Sequence, residues 1–341
     1  MTRYGPVVTI AARTLEPPTL DDIRAARTFI AQHLPTPTPL VASDALSELL
    51  GLEVRLKLES MLPTSAFKVR GGVNLIGRDL TARAGVMAAS TGNHGQSLAW
   101  AGRRFGVPVT VFVPRGANPI KLASMRALGA TVVEHGADFD DARLECERRA
   151  AASGTRYVHS GNEPYLVAGV ATATLEILDV WPDVDVLIVP VGGGSGASGA
   201  SIVAKAAGRP IEVIGVQSEG APAAYLTWRE GRPVTRDAIH TFAEGLATRT
   251  SFELPQRILR DRLDDFVLVS DDELRRAMRA LLVVAHVVAE GAGAAPTAAA
   301  WKLRERLRGK RAALWVSGAN ATEAQIAEAL AAGGWTTNDA Q

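Results

Sequence analysis

The feature that most constrains this chain is an alternation: short, apolar, β-branched runs take turns with Ala-rich amphipathic stretches along most of its length. The runs fall at 54–58, 85–88, 109–113, 131–134, 186–190, 212–216 and 312–316. Runs of this kind fit strands buried in parallel sheets whose faces are covered by the intervening helices. The expectation is an α/β chain built from βαβ units. Punctuation supports it locally: Pro119 stands near the start of an amphipathic stretch and Gly129 follows Leu128, which predicts a helix over 119–128.

A chain of 341 residues outgrows a single core of roughly 250, so two lobes are expected. The boundaries are placed at 46–149 for a smaller lobe and at 1–45 with 150–330 for a larger one. Residues 331–341 are expected to form a tail, with disorder over 336–341. The chemistry-bearing segments cluster before about residue 120 and after about residue 190, so a cleft between lobes would unite them.

Lys and Arg number 37 against 36 Asp and Glu, a net charge of +1, which gives no one-sign field for nucleic acid or an anionic membrane. The partner is expected to be a small molecule. One cysteine, Cys146, rules out an intrachain disulfide. Residues 1–14 carry no basic-then-apolar leader, and no run reaches the roughly 18 apolar residues of a membrane span. A cytoplasmic location is therefore expected.

The apolar run at 184–191 leads into Gly192, Gly193, Gly194, Ser195, Gly196 and on to Gly199, then an Ala-rich stretch. Strand, glycine turn and helix N-terminus together make an anion site. Gly194, Gly196 and Gly199 also satisfy G-x-G-x-x-G, with Glu219 where a ribose-binding acid belongs. Taken alone, the loop leaves open a single phosphate, a dinucleotide or a structural turn. The extra glycines at its front and its late position in the chain count against the dinucleotide.

Lys68 follows Thr64, Ser65, Ala66 and Phe67 and precedes Val69, Arg70, Gly71 and Gly72. Small neighbours let a planar group approach the amine, and burial would lower its pKa toward Schiff-base chemistry. In isolation it would read as a surface lysine. A second apolar run enters Ser90, Thr91, Gly92, Asn93, His94 and Gly95, with a helix expected to begin near Gly95. Hydroxyls and free helix N–H groups there can hold a carboxylate, although the segment taken alone reads first as a plain N-cap turn. His94 is assigned no role. His33, His135, His159, His240 and His286 show no metal-ligand spacing.

Together these segments resemble the fold-type-II pyridoxal-phosphate enzymes, above all the threonine/serine dehydratases (ammonia-lyases) and serine racemases, across nearly the whole chain. The motifs that carry the resemblance are Ser65 to Gly72, Ser90 to Gln96, Gly192 to Gly196, Glu290 to Ala294 and Ser317 to Asn320, in the family's order. The resemblance implies a two-lobed, tryptophan-synthase-β-like fold with parallel sheets and the active site between the lobes. It implies pyridoxal 5'-phosphate linked to Lys68, Phe67 packed on its ring, and Asn93 bonded to the phenolic oxygen. It also implies Gly192, Gly193, Gly194, Ser195 and Gly196 around the phosphate, Ser317 facing the ring nitrogen and Glu290 near the cofactor.

A neutral hydroxyl at the ring nitrogen weakens the electron sink and so favours elimination. Ser90, Thr91, Gly92 and Asn93 are implied to bind the substrate carboxylate, and Lys68 to take the Cα proton. The implied reaction is dehydration and deamination of L-threonine to 2-oxobutyrate or of L-serine to pyruvate, releasing ammonia. Regulation by a C-terminal domain, as in the biosynthetic members, is not expected. A homodimer is implied by resemblance alone.

Several positions depart from the family patterns. Gln217 and Ala223 stand where metal-dependent racemases carry carboxylates, so no metal is expected there. Thr91 replaces the serine that racemases use on the opposite face, which makes it the second catalytic candidate and keeps racemisation as the alternative. Glu244 replaces an Asp beside the substrate side chain, and nearby Arg249 leaves 3-hydroxyaspartate open as a substrate. A β-replacement synthase is disfavoured by the Ala-Phe-Lys-Val-Arg-Gly segment and His94. An NAD-dependent oxidoreductase would leave the lysine, asparagine and serine segments unexplained.

Overall fold

The computed structural model describes residues 15–335, and the expectations for 1–14 and 336–341 lie outside them. Two sheets organise the chain. Strands β1 (Leu40–Ala42), β2 (Glu53–Leu58), β7 (Val186–Pro190), β8 (Glu212–Ser218), β9 (Asp265–Val269) and β10 (Arg311–Val316) form a six-stranded sheet in the order β1-β2-β10-β7-β8-β9. Strands β3 (Val86–Ala89), β4 (Val109–Val113), β5 (Thr131–Glu134) and β6 (Arg156–Tyr157) form a four-stranded sheet in the order β5-β4-β3-β6. Every pairing is parallel except β1 with β2, which lies at an edge where a short antiparallel return is sterically free.

Burial follows position in the sheet. All five residues of β7, a central strand, are buried between helices, which is why that segment is apolar at every position. Edge strand β5 buries none of its residues fully. The helix over Pro119–Ala127 opens with the Asn118 side chain accepting from the Ile120 N–H. It ends as the sequence predicts, with Gly129 in the left-handed region at φ +95°.

The expected lobe boundaries need correction. β2 pairs in parallel with β10 from Glu53 opposite Arg311 to Leu58 opposite Val316, so the segment after residue 46 begins in the larger sheet. The apolar side chains of Val54 and Leu56 are buried in that sheet's core, which the smaller one could not offer them. Conversely, β6 extends the smaller sheet past residue 149, with Tyr157 opposite Met87. The tail expected from 331 is also shortened, because Trp335 is buried and stacks on Trp301 at a centroid distance of 4.8 Å.

Between the sheets lies a buried charge network. The Arg70 guanidinium donates to Glu59 at 2.7 Å and to Glu176 at 2.6 Å, and Lys57 donates to Glu176 at 2.6 Å. The Thr38 and Thr172 hydroxyls complete the Arg70 fork. It ties β2, the helix Lys68–Arg78 and the helix Pro164–Val180 to one another. Two acids and two bases cancel, the condition under which charges tolerate burial. The helix that begins with Lys68 is thereby anchored from its first turn.

Candidate active site

The segment before Lys68 is shaped by its contacts with the end of β10. Ser65 sits at φ +50°, its carbonyl accepts from Ala319 N–H, and Ala66 bridges Gly318. Phe67 N–H donates to the Ser317 carbonyl at 2.9 Å. These bonds bring the lysine and serine motifs side by side, although about 250 residues of chain separate them. Ser317 is buried there at the C-terminal end of a central strand, the usual edge for ligands in such sheets.

Lys68 Nζ donates to Ser195 Oγ at 2.9 Å. Burial lowers its pKa to about 8, so a substantial fraction of the amine is neutral near physiological pH. Ser195 opens the helix Ser195–Lys205, and Gly194 ahead of it is left-handed at φ +90°. The loop is glycine because nothing larger fits. A Cβ on Gly192 would collide with the Gly245 carbonyl, one on Gly193 would lie 2.5 Å from Phe252, and one on Gly194 2.8 Å from Pro255. One on Gly196 would lie 3.3 Å from the Phe67 ring. Backbone N–H groups, a helix N-terminus and an amine thus converge with an aromatic ring, a set that fits a phosphorylated, ring-bearing aldehyde.

The second loop is only partly as expected. The helix Asn93–Phe105 begins ahead of Gly95. It can do so because Ser90 Oγ accepts from the N–H groups of Gly92 at 3.2 Å and Gly95 at 2.9 Å. Ser90 is buried in this turn, and its acceptor capacity and the Gly92 N–H are committed within the loop. Thr91 is more open.

Asn93 makes the longest connection. Its Nδ2 donates to Glu290 Oε1 at 2.7 Å, and its Oδ1 accepts from Asn320 Nδ2 at 2.7 Å. Burial pushes Glu290 up to about 7, against the Asn93 hydrogen bond and the Lys121 charge, and the Glu244 charge adds to the rise. Burial and the Lys68 charge push His94 down to about 3, so its ring is neutral at pH 7. Lys68, Phe67, Asn93, the 192–196 loop, Glu290 and Ser317 form one connected constellation.

Some expectations change. Glu244 contacts Lys121 at 2.5 Å, and the two line a small cleft with Glu290, Asn320 and Gln325. Lys121 was missed because nothing in its local sequence marks it. The same holds for Phe252 and Pro255, which wall the glycine loop. Arg249, raised as a carboxylate receptor, is taken by Asp140 at 2.9 Å. Glu219, the acid that a dinucleotide needs, is held by Lys302 at 3.3 Å. Gln217 Oε1 accepts from Tyr225 N–H at 3.0 Å, which commits this side chain to the fold.

The profile described as "Pyridoxal-phosphate dependent enzyme" matches residues 31–318. The chain belongs to that family. It is 38% identical over 304 residues to an L-threonine ammonia-lyase of Thermotoga maritima, a match covering 89% of this chain and 75% of that one. It is 34% identical to the catabolic L-threonine dehydratase of Escherichia coli K12, over 92% of this chain and 96% of the other. Among solved structures, maize serine racemase superposes with a TM-score of 0.86 at 27% identity, covering 93% of this chain and 98% of the racemase. The fold is that of the type II enzymes, the chain is pyridoxal-phosphate dependent, and the expected fold class holds.

Proposed function

We propose that this protein is a carbon–oxygen lyase that deaminates L-threonine to 2-oxobutyrate and ammonia, with L-serine as a secondary substrate giving pyruvate. The observation that carries the reading is the convergence of Lys68, Ser195 and Phe67 on the glycine loop, beside Ser317. Relatives named as L-threonine ammonia-lyase and L-threonine dehydratase, which align over most of the chain, support the substrate.

In this reading Gly192 to Gly196 would hold the cofactor phosphate at the helix N-terminus, and Phe67, Asn93 and Ser317 would hold its ring. When bound, pyridoxal phosphate supplies an electron sink that weakens the Cα–H bond of an amino acid. The protein's own part is placement and proton handling. Thr91 and the N–H groups of Asn93 and His94, at the start of the helix Asn93–Phe105, would take the substrate carboxylate, and the Ser90 turn holds them in position. Lys68, with a pKa of about 8, suits removal of the Cα proton near neutral pH. Glu290, at about 7, can hold or release a proton beside Asn93.

The test is direct. Purified protein loaded with pyridoxal phosphate should absorb near roughly 410 nm, release 2-oxobutyrate from L-threonine, and lose both properties in Lys68→Ala. A loaded protein that releases no oxo acid from threonine or serine would overturn the elimination reading.

Racemisation is the second reading, favoured by the superposition on maize serine racemase. Thr91 is then the proton donor on the opposite face, and its methyl group restricts the rotamers the hydroxyl can use. Chiral analysis of residual serine after incubation separates the two. A homodimer and a cytoplasmic location complete the proposal, tested by light scattering and cell fractionation.

A further inference from the structure

Three charged groups share the cleft beside Asn93, and they come from both halves of the molecule. Lys121 belongs to the helix Pro119–Ala127, which packs with the four-stranded sheet, whereas Glu244 and Glu290 belong to the six-stranded half. Lys121 Nζ lies 2.5 Å from Glu244 Oε2, with the lysine side chain 14% exposed and the glutamate 48% exposed. Among the described residues lining this cleft, Lys121 is the one cation.

We propose that Glu244 determines side-chain specificity by occupying Lys121, so that the site accepts neutral β-hydroxy amino acids and turns away those bearing a second carboxylate. The inference rests on the elimination reading and names the substrate class of that same site.

Charge placement argues for it. A dicarboxylate entering the cleft meets one ammonium already neutralised by Glu244, together with the Glu290 carboxyl. Without Glu244, a mostly buried ammonium is left uncompensated, and an incoming carboxylate becomes its best available partner through a charge-assisted hydrogen bond. Glu290 substitutes poorly, because burial favours its neutral carboxyl and its Oε1 already accepts from Asn93 Nδ2 at 2.7 Å. Arg249 cannot supply the cation either, since Asp140 holds it at 2.9 Å. Specificity of this kind comes from a repulsive and pre-empting group rather than from an added attraction.

The test uses the holoenzyme and two probes: succinate, which has the carbon skeleton of a hydroxy-dicarboxylic amino acid, and butyrate, which has that of threonine. Wild type, Glu244→Ala, Glu244→Gln and Glu244→Ala combined with Lys121→Met are titrated by calorimetry, each after a thermal melt to verify folding. The expected result is a gain of about ten-fold in succinate affinity for both single variants, with butyrate unchanged. The double variant should fall back to the wild-type value. An unchanged succinate affinity in both single variants, or a gain that survives Lys121→Met, overturns the proposal. Calorimetry needs no turnover, so failure of wild type to deaminate threonine sinks the elimination reading without obscuring this comparison.

Discussion

Lys68 Nζ donates to Ser195 Oγ at 2.9 Å, joining the reactive amine to the first residue of the helix that closes the glycine loop. Only the neutral amine attacks an aldehyde, and burial places its pKa at about 8. Cofactor-free protein mixed with pyridoxal phosphate should therefore develop its visible band faster as pH rises, with a half-maximal rate near pH 8 and a plateau above it. Stopped-flow absorbance between pH 6.5 and 9.5 reads this. A rate still climbing steeply above pH 9.5 would mean that the amine retains its ordinary pKa.

Gly192 carries the tightest constraint in the loop. A methyl group there collides with the Gly245 backbone carbonyl, which cannot swing aside as a flexible side chain would. Gly192→Ala must displace one of the two segments, and the displaced backbone N–H groups no longer converge on one phosphate. Affinity for pyridoxal phosphate should fall at least ten-fold, measured by fluorescence titration, while Gly208→Ala, in open space, should leave it unchanged despite the strain of its φ of +73°.

The sequence made some of this legible for identifiable reasons. Central strands such as β7 are buried on both faces, so their composition marks them, and motif glycines mark the close approaches that need them. β1, β6 and β9 were not foreseen. β1 and β6 have only three and two residues, too few to establish a period, and β9 buries only Phe266 and Val269, a spacing that fits no period of two. The lobe boundary was misplaced because β2 joins a sheet whose other members lie far along the chain, a pairing that no local pattern records. At the site, Lys68, Asn93 and Ser317 sit in recognisable segments, whereas Lys121 reaches the cleft only through the packing of its helix. The Ser90 hydroxyl shows the converse: a residue of binding type is used to cap a turn.

Glu176 receives both Arg70 and Lys57 in a fully enclosed network. Burial pushes its carboxyl up, but the hydrogen bond and charge of Arg70, reinforced by Lys57, outweigh that and hold it below its ordinary value. Glu176→Gln leaves two buried cations facing Glu59 alone. Removing one partner from a buried ion pair costs about 3–5 kcal/mol, and a loss of that size is expected in urea unfolding at pH 7. Exposed Glu305→Gln, which only loosens a surface pair with Arg308, should cost well under 1 kcal/mol, or about the error of the measurement.

Glu290 makes stability depend on pH in the sense opposite to Glu176. Its folded pKa of about 7 lies above the ordinary 4.5. Between those values the folded chain keeps a proton that the unfolded chain releases, so this group's contribution falls as pH rises and is least favourable above pH 7. Glu290→Gln does not titrate and retains an oxygen to accept from Asn93. The melting temperature of the cofactor-free variant should therefore exceed that of wild type at pH 8, with the advantage shrinking steadily toward pH 5. An advantage that stays constant across this range would show that Glu290 is ionised throughout. In that event the hydrogen bond to Asn93 would be made by a permanent carboxylate.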